Sequence, residues 1–208
     1  MGVALQGSLL DVAEEPWPGS LRLIRRTELS HSAWVDVLPG WFNGADTLFE
    51  RLVTAVPWRA ERRRMYDRVV DVPRLVSFYD EADPLPDPSL SAALAALSEH
   101  YAAELGEPFR TAGLCYYRDG RDSVTWHGDR IGRGDSEDTM VAIISIGAPR
   151  DLLLRPHGGG AARRHRIGHG DLLVMGGSCQ RTWEHAVPKT NKPVGPRISI
   201  QFRPRGVR

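Results

Sequence analysis

Residues 196–204 read PRISIQFRP, in which apolar and polar side chains alternate without a break. A strict period of two is typical of a β-strand that has one face in a core. The apolar face holds Ile198, Ile200 and Phe202, and the opposite face holds Arg197, Ser199, Gln201 and Arg203. Because an uncompensated buried charge is strongly destabilising, two arginines on one face of such a strand need anionic partners. Either a dicarboxylate bound beside a metal or acidic loop residues would supply them.

Further short β-type runs precede this strand and are separated by Gly-rich or polar turns, without helices between them. They are Gly113–Tyr117, Val141–Ile146, Asp151–Leu154 and Leu172–Met175. This spacing predicts an antiparallel sandwich or jelly roll. Apolar stripes at helical spacing predict two helices upstream, over about 45–56 and 89–105. We therefore expect a mainly β protein with flanking helices (α+β), a single domain over 1–208. Its β core would occupy 111–208, and 1–110 would hold the helices and a variable strand region.

Composition restricts the class of protein. The 208 residues carry 27 basic and 26 acidic side chains, so the net charge of +1 provides no protein-wide field for an anionic partner. Of the basic residues 25 are arginine, which reflects either GC-rich codon usage or a need for the bidentate guanidinium. With only Cys115 and Cys179, a disulfide framework is excluded. The chain has neither an apolar run of the about 18 residues that a membrane span requires nor a basic, signal-like start. We expect a cytoplasmic protein without membrane association.

A candidate metal site begins in SVTWHGDR, residues 123–130, where His127 and Asp129 are two residues apart. On a strand this spacing directs both side chains to one face, whereas a helix would separate them by about 200°. His185 in RTWEHAVP is the third candidate ligand, and Glu184 is left out because it would face away on an extended segment. Two histidines and one carboxylate form the facial triad of non-haem Fe(II) oxygenases.

The other histidines are expected to lie outside any metal site. His31 and His100 are predicted to be solvated, and His157, His165 and His169 to lie in loops of an Arg/Gly-rich stretch. HGGG within that stretch resembles a lipase oxyanion loop, but the sequence has no G-x-S-x-G nucleophile. A hydrolase of that type is therefore excluded.

Together these motifs resemble a known family. H-x-D, a distant histidine and R-x5-R match the signature of the AlkB family of Fe(II)- and 2-oxoglutarate-dependent dioxygenases. YRDGRDSVTWHGD, ISIGAPR and GDLLVMGGSCQRTWEHAVPK are also similar to the core of that family, and the resemblance covers about residues 50–205. It implies a double-stranded β-helix (jelly-roll, cupin-like) core with an N-terminal nucleotide-recognition lid. It also implies oxidative removal of alkyl groups from nucleobases.

The resemblance implies roles for individual residues, with 2-oxoglutarate as co-substrate and O2 as oxidant. Those implied to hold Fe(II) are His127, Asp129 and His185. Those implied to bind the co-substrate are Tyr117, Arg197 and Arg203. Gln201, which lies between the two arginines on the same strand face, and Cys115 are added as candidates for the same site. Arg197 would pair with the far carboxylate, and Arg203 would lie near the carboxylate that chelates iron. The family's asparagine two positions before the tyrosine is Cys115 here, which removes a hydrogen-bonding side chain.

The N-terminal stretch VPRLVSFYD resembles the strand that shapes the base pocket of the family. The residues implied to contact substrate are Tyr66, Arg74, Phe78 and Tyr79. Phe78 or Tyr79 would stack on a flipped base with His127 on its other side, although aromatic residues at strand spacing are also common in cores. Arg74 would lie near the nucleic-acid backbone, and Tyr66 would fill the gap left by the flipped base.

The sequence differs from several relatives after the metal aspartate. Those relatives carry an acidic residue two positions on, which suits a cationic methylated base, whereas Asp129 is followed by Arg130 and Ile131. Asp135 or Glu137 in the following loop would have to take that role. The range of lesions therefore stays open at this stage.

Three functions are compatible with these features. The first is oxidative demethylation of 1-methyladenine- or 3-methylcytosine-type bases in DNA, coupled to 2-oxoglutarate decarboxylation and formaldehyde release. Its expected partners are alkylated DNA, which includes single-stranded DNA, or RNA. The second is an oxygenase of the same fold that acts on RNA, protein or a small molecule. The third is a non-enzymatic nucleic-acid-binding β domain. We expect a monomer in each case.

Overall fold

The computed structural model describes residues 14–65, 68–130 and 132–207, with side chains throughout these ranges except 62–71. The strands are β1 (Trp17–Pro18), β2 (Arg25–Glu28), β3 (Ala33–Leu38), β4 (Phe42–Asn43), β5 (Arg59–Met65), β6 (Arg68–Tyr79), β7 (Thr111–Tyr117), β8 (Val124–His127), β9 (Val141–Gly147), β10 (Arg150–Pro156), β11 (Arg163–Ile167), β12 (Asp171–Gly177), β13 (Trp183–Val187) and β14 (Arg197–Arg203). The helices are α1 (Ala45–Ala55), α2 (Pro88–His100), α3 (Ala102–Leu105) and α4 (Cys179–Thr182). None of the described helices is long and apolar enough to cross a membrane.

Two antiparallel sheets dominate the described part of the chain. The large sheet has the order β2-β3-β12-β9-β14-β7-β6-β5, and the small sheet has the order β11-β10-β13-β8. Strands that are neighbours in the chain, such as β9 and β10, lie in different sheets, so the chain crosses repeatedly between them. Such crossing is typical of a double-sheet jelly roll. The predicted fold class, a jelly-roll core with flanking helices, is confirmed.

Each face of the large sheet buries a separate apolar cluster. On one face, Ile144 and Ile200 pack with Leu48 and Leu52 of α1 and with side chains of α2. The side chains contributed by α2 are Leu90, Ala93 and Leu97. On the other face, a second cluster combines residues of both sheets, and these include Val141, Ile143, Leu173, Leu152, Leu154 and Trp183. One core therefore lies between the two sheets, and the other lies between the large sheet and the helices.

Strand β14 occupies the centre of the large sheet, between β9 and β7. Its apolar side chains, Ile198, Ile200 and Phe202, are fully buried against the helices, as the alternation predicts. Its polar side chains consequently project into the space between the sheets, which is where a ligand site can form.

The N-terminal part of the chain supplies strands at both edges of the large sheet. Strands β2 and β3 pair onto β12 at one edge, and β5 and β6 form a hairpin at the other. The predicted division at residue 110 therefore does not separate the sheet into an N-terminal and a C-terminal part. Strand β6 pairs with β7 only through Leu75–Tyr79, so the outer half of the hairpin extends beyond the sheet. This hairpin lies within the range predicted to hold a nucleotide-recognition lid, and its role as a lid stays a prediction.

Two local expectations are wrong. The predicted helix over 89–105 is interrupted at Tyr101, whose backbone leaves the helical region and whose hydroxyl donates to the buried Asp36 carboxylate at 2.9 Å. His165 lies in strand β11, not in a loop. The Gly- and Arg-rich flanks of this short strand conceal its pattern, and pairing with β10 stabilises it.

Candidate metal centre and its cavity

Three predicted ligands converge between the sheets. His127 is the last residue of β8, and His185 lies opposite it in β13. Asp129 lies two residues beyond the strand, so the expectation that strand alternation alone pairs it with His127 is only partly correct. One potential ligand atom from each of His127, Asp129 and His185 lies within 4.8 Å of the others. The imidazole centroids are 4.1 Å apart, and His127 Nε2 is 3.8 Å from Asp129 Oδ1.

Hydrogen bonds prepare these side chains for a cation. His127 Nδ1 lies 2.8 Å from the carbonyl oxygen of Thr125, so Nδ1 carries the proton and Nε2 keeps its lone pair. Asp129 accepts a hydrogen bond at Oδ2 from Arg203 Nε at 2.7 Å, while Oδ1 is the oxygen nearer His127. The backbone N–H of Asp129 donates to Gln180 Oε1 at 3.0 Å, which ties the loop to α4.

The charges of the site match the forms that bind metals. Burial lowers the pKa of His185 to about 3, and His127 acts in the same direction, so this imidazole is neutral near pH 7. Burial alone would raise the pKa of Asp129, but the Arg203 guanidinium and the two histidines hold it below its ordinary value. A neutral imidazole and an ionised carboxylate are the ligand forms of these side chains.

The three residues lie at the wall of a cavity of about 910 Å³. Adjacent strands supply its floor, with Ser199, Gln201 and Arg203 from β14 and Gly113, Cys115 and Tyr117 from β7. A Cβ atom on Gly113 would lie 2.9 Å from Arg203 Nη1 and 3.2 Å from Gln201 Oε1. The absence of a side chain at Gly113 therefore leaves room for the polar groups of β14.

Arg197 has an unfilled hydrogen-bonding capacity. It is 1% exposed, and its guanidinium carbon lies 5.2 Å from the Tyr117 ring centroid. Nε donates to Ser145 Oγ at 2.8 Å, whereas Nη1 has no hydrogen-bond partner among the described residues. Burial lowers the pKa of this guanidinium below its ordinary value. A buried cationic donor without a partner fits a carboxylate ligand, so the residues present are compatible with a dicarboxylate beside a metal.

A second buried arginine, Arg150, was missed by sequence reasoning. Its guanidinium carbon lies 5.7 Å from the Tyr117 ring centroid. It donates to the carbonyl oxygens of Asp119, Asp122 and Pro188 at 2.7–3.1 Å. Because these backbone oxygens already satisfy it, Arg150 has a structural role that contrasts with the unpaired Arg197. Its position directly before the predicted strand Asp151–Leu154 gave no signal for such long-range contacts.

Arg74 lies in the wall of the cavity and is half-buried. Its Nε donates to Cys115 Sγ at 3.4 Å, and its Nη1 donates to the carbonyl oxygen of Ser123 at 3.2 Å. These bonds hold the guanidinium beside the cavity floor. The predicted contact of Arg74 with a nucleic-acid backbone stays a prediction. Cys115 Sγ is also 3.8 Å from Gln201 Oε1, so Arg74, Cys115 and Gln201 form a continuous polar row.

Aromatic side chains lie at the mouth of the cavity. Phe78 and Tyr79 both line the cavity, but Phe78 is 43% exposed, whereas Tyr79 is partly buried and packs against the core cluster beneath the helices. This difference favours Phe78 as the stacking surface of the two predicted alternatives. Tyr66 lies outside the described residues.

The acidic groups of the cavity are not those proposed from sequence. Glu137 pairs with Arg133 at 2.9 Å, and neither Asp135 nor Glu137 lines the cavity. Glu61 and Asp83 line it instead. Both precede the β core in sequence and carry no motif, so only the pairing of the β5–β6 hairpin with β7 reveals their position. Ile131 lies outside the described residues.

Comparisons with known proteins define the class. The family model described as the 2OG-Fe(II) oxygenase superfamily matches residues 37–203, and the chain therefore belongs to that superfamily. A crystal structure of a 2OG-Fe(II) oxygenase family oxidoreductase from Burkholderia pseudomallei aligns with a TM-score of 0.59 at 14% identity, covering 83% of this chain and 86% of the other. The structure of OsALKBH1 gives the same TM-score and identity, covering 87% and 100% of the two chains. At such low identity these two likenesses concern the fold.

Curated relatives narrow the class further. The chain is 32% identical to the bovine (Bos taurus) alpha-ketoglutarate-dependent dioxygenase alkB homolog 3, over 76% of this chain and 61% of the relative. It is 26% identical to the human DNA oxidative demethylase ALKBH2, over 76% and 68% of the two chains. The resemblance to AlkB-family dioxygenases is confirmed. The predicted cofactors, Fe(II), 2-oxoglutarate and O2, are those of this superfamily. The chain spans about three fifths of the alkB homolog 3 relatives.

Proposed function

We propose that this protein oxidatively demethylates N-alkylated nucleobases in DNA, using Fe(II), 2-oxoglutarate and O2. The observation that carries the proposal is the convergence of His127, Asp129 and His185 at the wall of a cavity that an exposed aromatic ring also lines. Beside Tyr117 of the cavity floor lies a buried arginine, Arg197, whose Nη1 has no hydrogen-bond partner among the described residues. The similarity to ALKBH2, which is named a DNA oxidative demethylase, supports the choice of substrate. A monomeric, cytoplasmic enzyme is part of the same proposal.

In this proposal His127, Asp129 and His185 hold the iron. The Thr125 carbonyl fixes the tautomer of His127, and Arg203 takes one oxygen of Asp129 so that the other is available as a ligand. Bound there, the iron with 2-oxoglutarate and O2 supplies the oxidation of an N-methyl carbon, which releases succinate, CO2 and, after the C–N bond breaks, formaldehyde.

The two arginines of β14 bind the co-substrate in this proposal. Arg197 Nη1 donates to the far carboxylate, because a buried and unpaired guanidinium nitrogen gains most from an anion. Arg203 lies beside Asp129, where its remaining N–H groups can meet the carboxylate nearer the iron. Tyr117 and Gln201 line the same floor and offer hydrogen bonds to the carboxylates. Cys115 contributes only a weak donor there.

The mouth of the cavity receives the base. A methylated base within a duplex is inaccessible, so the nucleotide must be flipped or single-stranded. Phe78 provides a flat apolar surface for stacking, and His127 closes the opposite side of the pocket. Glu61 and Asp83 also line the cavity, together with Arg59, and in this proposal the two carboxylates face the cationic methylated base.

The test is an assay started by adding O2 to the anaerobic protein with Fe(II), 2-oxoglutarate and an oligonucleotide carrying 1-methyladenine or 3-methylcytosine. We expect formaldehyde in equal amount to repaired base, and none from Asp129→Ala. The matched control is Asp46→Ala, whose side chain is 98% exposed on α1 and whose loss should leave turnover unchanged.

Different nucleic-acid substrates are compared in the same assay. Single-stranded DNA, duplex DNA and single-stranded RNA with the same lesion are tested in parallel. Turnover on RNA alone, or succinate formation with no demethylation of any strand, would replace this proposal by the second predicted function, an oxygenase with another substrate. If neither wild-type protein nor Asp129→Ala turned over 2-oxoglutarate with any substrate, the result would favour a non-enzymatic protein.

A further inference from the structure

The immediate sequence neighbours of all three candidate ligands meet on the outer face of the small sheet. Trp126 precedes His127, Arg130 follows Asp129, and Glu184 precedes His185. Because strand side chains alternate between faces, Trp126 and Glu184 project away from the cavity. Two residues of the β10 region join them, Arg155 and His157. We call this group the outer clamp, and it consists of Trp126, Arg130, Arg155, His157 and Glu184.

Contacts link every member of the outer clamp. The Arg155 guanidinium carbon lies 4.1 Å from the Trp126 ring centroid, a cation–π geometry, and Arg155 Nη2 donates to Glu184 Oε2 at 3.0 Å. His157 Nδ1 is 3.3 Å from Glu184 Oε1, and His157 Nε2 is 3.4 Å from Arg130 Nη1. Arg155 and Glu184 are 30% and 14% exposed, so water screens their contact only in part. The clamp therefore spans β8, β10, β13 and the Asp129 loop.

The backbone alone connects β8 and β13 poorly at this point. Their register runs from His185 opposite His127 to Val187 opposite Val124, so three steps on β8 match two on β13. Such a bulge interrupts the ladder and leaves the relative position of two strands less defined. The interruption lies directly beside the two histidines. By contrast, β10 and β13 pair continuously from Leu153–Ala186 to Pro156–Trp183.

We propose that Arg155 is a positioning residue for the metal centre. Arg155 is held by Glu184 on the well-paired strand β13, and it packs on Trp126 of β8. From the outer face of the small sheet it thereby sets the separation of His127 and His185. Through Glu184 and His157 the same network reaches Arg130 and restrains the loop that carries Asp129. This inference rests on the proposed function only in that the three ligands hold a divalent metal.

The test uses Co(II), whose visible absorption reports coordination geometry, titrated into the full-length metal-free protein. Arg155→Met keeps an unbranched, apolar side chain but loses the charge and the ion pair. We expect its Co(II) dissociation constant to rise about tenfold, at the low end of the effect of outer-sphere partners. The absorption bands should also shift, while the thermal unfolding midpoint of the metal-free protein stays near that of wild type.

Two variants make the result specific. Arg164→Met is the matched control, because Arg164 lies in the same sheet, its side chain is 72% exposed, and it makes an ion pair with Asp151 at 3.8 Å and none with Glu184 among the described residues. It should bind Co(II) as wild type does. Arg155→Lys retains a charge but lacks the planar fork, so it should recover part of the affinity.

Amide hydrogen exchange in the metal-free protein provides a second readout. Exchange of the β8 amides should be faster in Arg155→Met and unchanged in Arg164→Met. Wild-type affinity and spectrum in Arg155→Met would overturn the positioning role while leaving the metal centre intact. Failure of wild-type protein to bind Co(II), with no change in Asp129→Ala, would instead overturn the metal centre of the proposed function.

Discussion

The closed end of the cavity and its mouth are built in different ways. At the closed end, β14 pairs with neighbours on both sides, and Arg197, Asp129 and His185 are almost fully buried. At the mouth, Phe78 is 43% exposed on β6, where it pairs with Gly113 of β7 and lies beyond the register with β5, which ends at Val76. The continuous ladders of β14 thus position Arg197 and Arg203, whereas a strand end that is paired on one side only positions the aromatic ring nearest the solvent.

This difference separates two tasks. Groups that must hold a metal and a small dianion need fixed geometry, which a central strand with buried partners provides. Groups that must accept bases within a long polymer need access from solvent, which an edge hairpin provides. We therefore expect substitutions at the closed end to affect co-substrate binding, and substitutions at the mouth to affect the nucleic-acid substrate alone.

The largest expected effect is that of Arg197→Met. A hydrogen bond to a charged group is worth ~1.5–3 kcal/mol, so the 2-oxoglutarate dissociation constant should rise between about tenfold and 100-fold. Calorimetric titration of the Co(II)-loaded protein measures it. Arg197→Lys keeps the charge and should recover part of the loss.

Arg150→Met is the comparison for this prediction. Arg150 is also buried near Tyr117, but it is satisfied by three carbonyl oxygens. Its loss should lower the free energy of unfolding in urea and leave co-substrate affinity in the folded protein near wild type. Equal loss of affinity in Arg150→Met and Arg197→Met would remove the distinction between a structural and a ligand-binding arginine.

A smaller effect is expected for Phe78→Ala at the mouth. Base–aromatic stacking is worth ~1–3 kcal/mol per base, so KM for the methylated oligonucleotide should rise about tenfold. The 2-oxoglutarate dissociation constant should not change. Trp17→Ala removes another aromatic ring, 59% exposed and absent from the cavity lining, and serves as the control. A loss of co-substrate affinity in Phe78→Ala would contradict the separation of the two ends.

The smallest expected effect is that of Cys115→Asn on the cavity floor. An amide restores a strong donor and acceptor where the thiol offers only weak ones, and one hydrogen bond of ~1 kcal/mol would tighten 2-oxoglutarate about fivefold. Cys179→Ala is the control, since burial raises the pKa of Cys179 to about 12 and its thiol lies in the core between the sheets. Weaker binding by Cys115→Asn would indicate that the Arg74–Cys115 contact matters more than the missing amide.

The sequence predicted the closed end better than the mouth for a physical reason. Alternation in β14 alone identifies both its buried face and the inward position of Arg203, because a strand repeats every two residues. The approach of His185 to His127 depends on which strands pair, and spacing in the chain does not determine that. The resemblance to a family supplied this missing link.

Other features have no local signal. Strands β2 and β3 are stabilised by pairing at the edge of the sheet. Strand β11 is short, and its charged side chains interrupt the alternation of apolar and polar residues that would predict a strand. Glu61 and Asp83 reach the cavity only because the hairpin folds back against β7. Long-range pairing, which tertiary packing decides, accounts for each of these misses.

The bond between Arg203 Nε and Asp129 Oδ2 has a thermodynamic consequence. In the proposed site, one guanidinium group contacts a ligand of the metal and borders the space for the dianion, so metal binding and dianion binding are coupled. Whatever factor the bound cation adds to the affinity for the dianion, the dianion must add to the affinity for the cation. The metal cation and the dianion therefore bind as a linked pair, and a low concentration of either one lowers the apparent affinity of the protein for the other.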